Sequence, residues 1–496
     1  MCYSDKPHEE CGVFGILINK QVDVARSIYY GLNALQHRGQ ESAGMAVCDT
    51  YGEKGNICTH KGMGLVSELF HEDLLNTLVG NIGIGHVRYS TTGESNVNNA
   101  QPFYLKYLKG TLALVHNGNI RNAAAIRHRL ESEGATFQGT SDSEVVATRI
   151  VKERMKTASI EEAVINVAKE LKGGYAIIVM SPKKLVGIRD PLGLKPMCLG
   201  KLPNGYILAS ESAALTAVGA EFVRDIAPGE IITITEYSIT SDMDMLRETK
   251  GRSYKGNRDT FYSTVQSEAY AAEQPVIESY PEKKHTGSAH CIFEYIYFAR
   301  LDSRIDGIEV YDARIKGGKS LARRFPVDAD IVTGVPESGI TAAVGYSQQS
   351  GIPFQPVFHK NSYIGRTFIK PTQEEREIAV AQKLSILGSV VNGKRIVLID
   401  DSIVRGTTIR KLIEMLKKAG AVEVHVRISS PPFLYPCYYG TDIPSGKQLI
   451  ADSFSKEEIR DMIGADSLEY MEIDDLHDMV GDLPVCKACF NGEYPD

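Results

Sequence analysis

The amino-acid sequence predicts two folded units, a layered α+β domain followed by an α/β domain built on a parallel sheet. Three observations lead there. At 496 residues the chain is longer than one hydrophobic core accommodates. From Cys11 to about residue 235, short apolar runs bounded by glycine alternate with longer amphipathic stretches. After Cys291 the rhythm becomes apolar strand, glycine-containing loop, amphipathic helix and strand again, which is the βαβ pattern of a parallel sheet.

Within the first unit, "GTLALVHNG" (110–118) and "GGYAIIVMS" (173–181) read as strands. "SDSEVVATRIVKERM" (141–155) opens with capping residues and continues at helical spacing. The stretch 236–285 is rich in charge and poor in sustained apolar runs, so a linker or surface insertion is expected at 241–285, between a first domain at 11–240 and a second at 286–450. In the second unit "ADIVTGV" leads to "PESGITAAVGYSQQSG", and "GKRIVLID" to "DSIVRGTTIRKLIEMLKKAG" and "AVEVHVRISS". Ligands of such folds bind at the carboxyl ends of the strands. The tail, 451–496, reads as short acidic helices ending in "CKACFNGEYP".

Composition narrows the classes of function. Hydrophobic residues at 43% and charged residues at 24% are ordinary for a globular protein. A formal charge of −7 argues against a general grip on nucleic acid or anionic membrane, while leaving room for a local basic pocket. No run reaches the roughly 18 apolar residues of a membrane span, and "MCYSDKPHEE" lacks the basic start and apolar core of a signal peptide, so a cytoplasmic protein is expected. Nine cysteines scattered along the chain are not a secreted disulfide framework.

The most specific stretch of the second unit is "IVLIDDSIVRGTTI" (396–409). An apolar strand ends in Asp400 and Asp401, and a Ser/Arg/Gly/Thr loop leads into a helix whose first N–H groups, with the Thr407 and Thr408 hydroxyls, suit a phosphate. Carboxylates beside a phosphate suit a divalent metal or ribose hydroxyls. The segment resembles the phosphoribosylpyrophosphate (PRPP) signature of type I phosphoribosyltransferases. That resemblance implies that Asp400 and Asp401 serve Mg2+ and the ribose, and that Ser402, Arg405, Gly406, Thr407 and Thr408 hold the 5-phosphate. "TGVPESGI" (333–340) then looks like the family's pyrophosphate loop, with Ser338 offering a hydroxyl to the metal. Between them "HKNSYIGRTFIKPTQEEREIAVAQK" (359–383) reads as a lid carrying Lys360 and Arg366 toward an anionic substrate, with a mobile surface loop as the alternative.

In the first unit, Cys11 in "HEECGVFGI" is followed by "LQHRGQESAG" (35–44), "GHVRYSTTG" (85–93), "VHNGNI" (115–120) and "GTSDSEV" (139–145). Alone, each has a bland reading, since Cys11 could be an inert buried thiol and "HNGN" a hairpin turn. In this order they resemble class II glutamine amidotransferases of the N-terminal-nucleophile type, whose domain is a four-layer αββα stack. The resemblance implies that Cys11 is the nucleophile, with its own α-amine as base, so that residues 1–10 would be a removed propeptide. Arg88 would clamp the carboxylate of glutamine, Asp142 its ammonium, and Asn117 and Gly118 would stabilise the oxyanion.

"CKAC" sets Cys486 and Cys489 at a spacing open to zinc, an iron–sulfur cluster or a redox dithiol. Cys291 in "HCIFEYIYFARLDS" and Cys437 in "SPPFLYPCYYGTD" could complete a four-thiolate site. Those words, together with both modules, resemble the glutamine phosphoribosylpyrophosphate amidotransferase family, and within it the propeptide-bearing subgroup with a [4Fe-4S] cluster. The resemblance implies 5-phosphoribosylamine as product, a homotetramer, inhibition by purine nucleotides, and an internal passage for ammonia; a non-catalytic PRPP- or nucleotide-sensing regulator is the alternative. Three positions depart from the family pattern: Ser362 and Ala381 stand where arginines are usual, and Leu301 where proline is usual. Cys2, Cys48, Cys58 and Cys198 read as structural or incidental.

Overall fold

The computed structural model describes residues 11–52, 56–89, 95–235, 239–242, 287–361, 384–441, 443 and 448–495. Its layering follows from side-chain alternation in the first strand, β1 (Gly12–Ile18). Phe14 and Ile16 enter one apolar core, and Val13 and Leu17 enter another on the opposite face. A strand buried on both faces must lie between two layers. The other strands of this half are β2 (Ser42–Cys48), β3 (Ile57–Met63), β4 (Ile82–Arg88), β5 (Phe103–Tyr107), β6 (Gly110–Ile120), β7 (Gly173–Ser181), β8 (Lys184–Arg189), β9 (Cys198–Leu202), β10 (Gly205–Ala209), β11 (Glu221–Asp225), β12 (Ile231–Thr235) and β13 (Ile239–Asp242). They form two antiparallel sheets, ordered β11-β9-β10-β1-β4-β2-β3 and β13-β12-β8-β7-β6-β5.

The sheets pack face to face through Val13, Ala46 and Ile84 from one and Val115, Ile178 and Ile232 from the other. Helices α1 (Ala25–Ala34), α2 (Ala123–Ser132), α3 (Asp142–Arg154), α4 (Ile160–Ala168) and α5 (Ser212–Ala217) cover the outer faces. Ile28 and Leu32 of α1 join Ala214 and Leu215 of α5 over the first sheet; Ile126, Val146 and Val164 from α2, α3 and α4 lie over the second. The result is the expected αββα stack. α3 starts where the sequence predicts a helix: the Ser141 side chain accepts from Ser143 N, acidic residues occupy the first turn, and Lys152 and Arg154 the last.

The second half begins with β14 (His290–Cys291), a helical turn over Glu294–Phe298, and α6 (Val310–Arg324). There follow β15 (Ile331–Gly334), α7 (Ser338–Ser350), the short pair β16 (Phe358–Lys360) and β17 (Leu384–Ile386), then β18 (Arg395–Asp400), α8 (Thr407–Lys418), β19 (Glu423–Ile428), α9 (Lys456–Ile463), β20 (Ser467–Tyr470) and β21 (Val485–Cys486). A parallel sheet runs β15-β18-β19-β20. In β18, Val397 and Ile399 face α6 and α7, while Ile396 and Leu398 face α8 and α9.

One expectation is corrected here. "SLEY" (467–470) lies in the tail read as helical, yet it forms β20 and completes the parallel sheet. Four residues are too short for periodicity to separate strand from helix, and pairing with β19 decides. Phe490, further along the tail, also enters the core beneath α6. The 241–285 segment lies outside the described residues except for its first two residues, the end of β13, and residues 1–10, the expected propeptide, likewise lie outside them. Among the described residues, no helix is long and apolar enough to cross a membrane.

Candidate active sites in the two halves

Cys11 immediately precedes β1, beside Arg88 at the end of its neighbour β4. Cys11 is 8% exposed, and its thiol donates to the Tyr89 carbonyl at 3.7 Å. Burial pushes it up to about 11, against the opposing pull of the Arg88 guanidinium. A base must therefore remove its proton for attack at neutral pH.

Opposite lies the strand β6. Asn117 is fully buried, and neither its side-chain N–H nor its side-chain oxygen has a hydrogen-bond partner. A buried amide with unspent bonds is costly, and the protein itself supplies no partner for this one. Gly118 follows with φ of +135°, and a Cβ there would lie 2.0 Å from the Gly174 carbonyl oxygen, so only glycine fits. Cys11, Arg88, Gly118 and Asp142 line one small cavity with Tyr89, Gln101, His116, Ser141 and Ser143.

Asp142 sits at the first position of α3, and its carboxylate accepts from Ile120 N at 2.9 Å. Arg88 donates from Nη1 to Glu41 Oε1 at 2.7 Å, so the expected carboxylate clamp already has a resident acid beside it. Glu41 and Gln101 were not legible in the sequence. Gln101 receives His116 N at 2.7 Å and donates to the His116 carbonyl at 3.1 Å, pinning the strand that carries Asn117.

In the second half, Asp400 and Asp401 lie at the carboxyl end of β18, 2% and 0% exposed. Asp401 accepts from Ser402 Oγ at 2.6 Å and from the Ser338 hydroxyl. Two carboxylates with a hydroxyl are hard oxygen donors of the kind Mg2+ takes, with water and substrate completing its shell. Gly406, φ +79°, caps α8 and turns the loop so that Thr407 and Thr408 open the helix. Arg405 donates to Gln448 at 2.9 Å, and Lys360 pairs with Glu337, the neighbour of Ser338, at 2.8 Å. Arg366, with Ser362 and Ala381, lies outside the described residues. Leu301 is 38% exposed, and nothing in the structure explains it.

The four cysteines come from segments that meet. Cys291 and Cys486 are register partners of β14 and β21. The Cys489 carbonyl accepts from Leu434 N and Tyr435 N, which brings it to the loop holding Cys437. All four thiols are free, and burial raises those of Cys291, Cys486 and Cys489, with repulsion from one another adding to it. Among the described residues, no three His, Cys, Asp or Glu stand close enough to grip a single metal ion. Cys48 and Cys198 are buried within strands; Cys2 lies outside the described residues.

Residues 86–217 match a glutamine amidotransferase domain and residues 316–429 a phosphoribosyl transferase domain. The chain is 46% identical over 485 residues to amidophosphoribosyltransferase of Methanocaldococcus jannaschii, covering 98% of this chain and 97% of that protein. It is 42% identical over 495 residues to that of Bacillus subtilis, covering 98% and 94%. A solved structure described as the allosteric regulatory enzyme of purine biosynthesis superposes with a TM-score of 0.84 at 40% identity, over 98% of this chain and 96% of that one. Glutamine PRPP amidotransferase from B. subtilis, complexed with ADP and GMP, superposes at 0.83 and 41% identity, over 98% and 97%. With an amidotransferase half, a phosphoribosyltransferase half and this likeness along nearly its whole length, the chain belongs to the amidophosphoribosyltransferases, the enzymes of the first step of purine biosynthesis.

Proposed function

We propose that the chain converts PRPP, glutamine and water to 5-phosphoribosylamine, glutamate and pyrophosphate, with the residue roles that follow. The observation that carries the proposal is the unpartnered, buried Asn117 amide, flanked on its strand by His116 and Gly118, which line one cavity with Cys11. Glutamine enters with its carboxylate toward Arg88 and its ammonium toward Asp142. The Cys11 sulfur attacks the carboxamide carbon while its proton passes to the Cys11 α-amine, which has a reference pKa of roughly 7.7–8.0 and exists only once residues 1–10 are removed. Asn117 Nδ2–H and the Gly118 N–H donate to the oxyanion. Collapse returns the proton to the departing nitrogen, releasing ammonia and leaving a thioester that water hydrolyses to glutamate.

In the other half, Asp400, Asp401 and Ser338 would hold Mg2+, which supplies charge stabilisation on the diphosphate. Ser402, Arg405, Gly406, Thr407 and Thr408 hold the 5-phosphate, and Lys360 and Arg366 are the further proposed PRPP-binding residues. Ammonia attacks the ribose C1 carbon as pyrophosphate leaves. Cys291, Cys437, Cys486 and Cys489 would ligate a [4Fe-4S] cluster, supported by four reduced thiols whose segments meet in one place. The cluster's chemistry here is structural, because the reaction transfers no electron. Purine nucleotides are the proposed feedback ligands, the homotetramer the proposed assembly, and the cytoplasm the proposed location.

The test is PRPP-dependent pyrophosphate release with glutamine as nitrogen donor, accompanied by intact mass, iron and sulfide on the purified chain. Release from protein lacking residues 1–10 and holding four iron and four sulfide per chain, as expected for [4Fe-4S], supports the proposal. Absence of release from iron-replete protein overturns the catalytic reading. Release without bound iron overturns the cluster.

A further inference from the structure

The halves meet through a buried ion pair that ends on the nucleophile's own backbone. Arg38, in the sequence "QHRG" after α1, is fully buried. Its Nη1 and Nη2 donate to the two carboxylate oxygens of Glu294 at 3.0 and 2.6 Å, and Nη1 also donates to Glu211 at 2.6 Å. Its third nitrogen, Nε, donates to the Cys11 carbonyl at 3.3 Å. Glu294 belongs to the phosphoribosyltransferase half, three residues after Cys291, and is 2% exposed. A guanidinium held on two sides by carboxylates has one orientation, so Glu294 fixes the direction in which Nε points.

A second contact from the same half reaches the opposite wall of the cavity. Gly440, φ +109°, packs so tightly that a Cβ there would lie 3.0 Å from the Gly118 carbonyl carbon. Asn119 Nδ2 donates to the Tyr438 carbonyl at 2.9 Å. The nucleophile and the oxyanion strand are therefore both braced by segments of the other half.

We infer that Glu294, acting through Arg38, is a positioning residue for Cys11, so that docking of the phosphoribosyltransferase half sets the geometry of the amidotransferase centre. The inference rests on the reading of Cys11 as nucleophile. A peptide free to rotate at Cys11 moves the sulfur and the α-amine relative to Asn117, and about 1 Å of misplacement costs on the order of a hundredfold in rate. The loss falls on the chemical step and not on glutamine binding, because neither Arg38 nor Glu294 lines the cavity.

The experiment compares the full-length enzyme with its Glu294→Gln variant in glutamine hydrolysis and in ammonia-supported pyrophosphate release. Expected for the variant is a kcat for glutamine hydrolysis at least tenfold lower, KM within about threefold, and ammonia-supported release within about twofold of the parent. Because a half-broken buried pair can prevent folding, the double variant Arg38→Met with Glu294→Leu is run beside it; apolar replacement of both partners is often neutral, Glu211 keeps His37, Ser303 Oγ and Arg300 N, and the same split is expected. Unchanged kcat, or equal loss of both activities, in whichever variant folds overturns the inference. A Cys11→Ala control that still hydrolyses glutamine would instead overturn the assignment of Cys11.

Discussion

Asn117 illustrates how a single residue announces chemistry: both ends of its amide are buried without partners. Replacing it by alanine is expected to lower kcat for glutamine hydrolysis by roughly 10²–10³-fold with little change in stability, as for loss of one oxyanion donor; steady-state kinetics and a thermal melt check the pair of outcomes. His86 is the complementary case. Burial pushes its ring down to about 3, although a hydrogen bond with the His116 carbonyl favours protonation. Folded, the ring stays neutral; unfolded, it takes a proton near pH 6.5. Its contribution is thus complete above about pH 6.5 and declines by up to about 1.4 kcal/mol per pH unit as pH falls toward the folded value. Thermal melts should fall progressively below pH 6.5, and His86→Gln should flatten that slope. Cys11, Asn117, Gly118 and Asp142 were legible because each lies in a contiguous word of sequence. Arg38 and Glu294 were not, because they are 256 residues apart and only the folded chain makes them one ion pair.

Among elements, α1 and β1 show how tightly the layers are specified. A Cβ on Gly31 would lie 2.4 Å from the Phe14 ring, and Phe14 is fully buried. Gly31→Ala should cost about 1–3 kcal/mol by overpacking, read from denaturant unfolding, in spite of the better helix propensity of alanine. The strand–loop–helix of β18 and α8 was legible for the opposite reason. Ile409, Leu412, Ile413 and Leu416 repeat at helical spacing after an unbroken apolar strand. β20 was missed because its four residues acquire a conformation only by pairing with β19. The Ser338 hydroxyl on Asp401 ties the two loops of this site together. Ser338→Ala should weaken Mg2+-dependent PRPP binding by roughly 10–100-fold while leaving glutamine hydrolysis without PRPP unchanged; calorimetric titration of PRPP with and without Mg2+ measures it.

For the whole molecule, the interface is built from buried charges as well as apolar packing. Arg189 of the first half holds Asp306 of the second through two bonds of 2.7 and 2.8 Å, with His290 Nδ1 2.7 Å from the same carboxylate. Removing one partner strands the other in a dry site. Asp306→Ala should destabilise by about 3–5 kcal/mol, and apolar replacement of both partners by much less, as melts of the two variants would show. The αββα stack and the parallel sheet were legible from rhythm and motif order, whereas the way the halves face each other was not. That arrangement matters to the proposed reaction, in which ammonia made at Cys11 must reach the ribose C1 carbon bound beside Asp400 and Asp401 in the other half. The most direct test is pyrophosphate release from PRPP by the Cys11→Ala variant, with glutamine or ammonia as the nitrogen source. Glutamine-supported release should vanish while ammonia-supported release stays within about twofold of the parent, since the phosphoribosyltransferase site is untouched. Persistent glutamine-supported release, or loss of both, would contradict the assignment of one centre to each half.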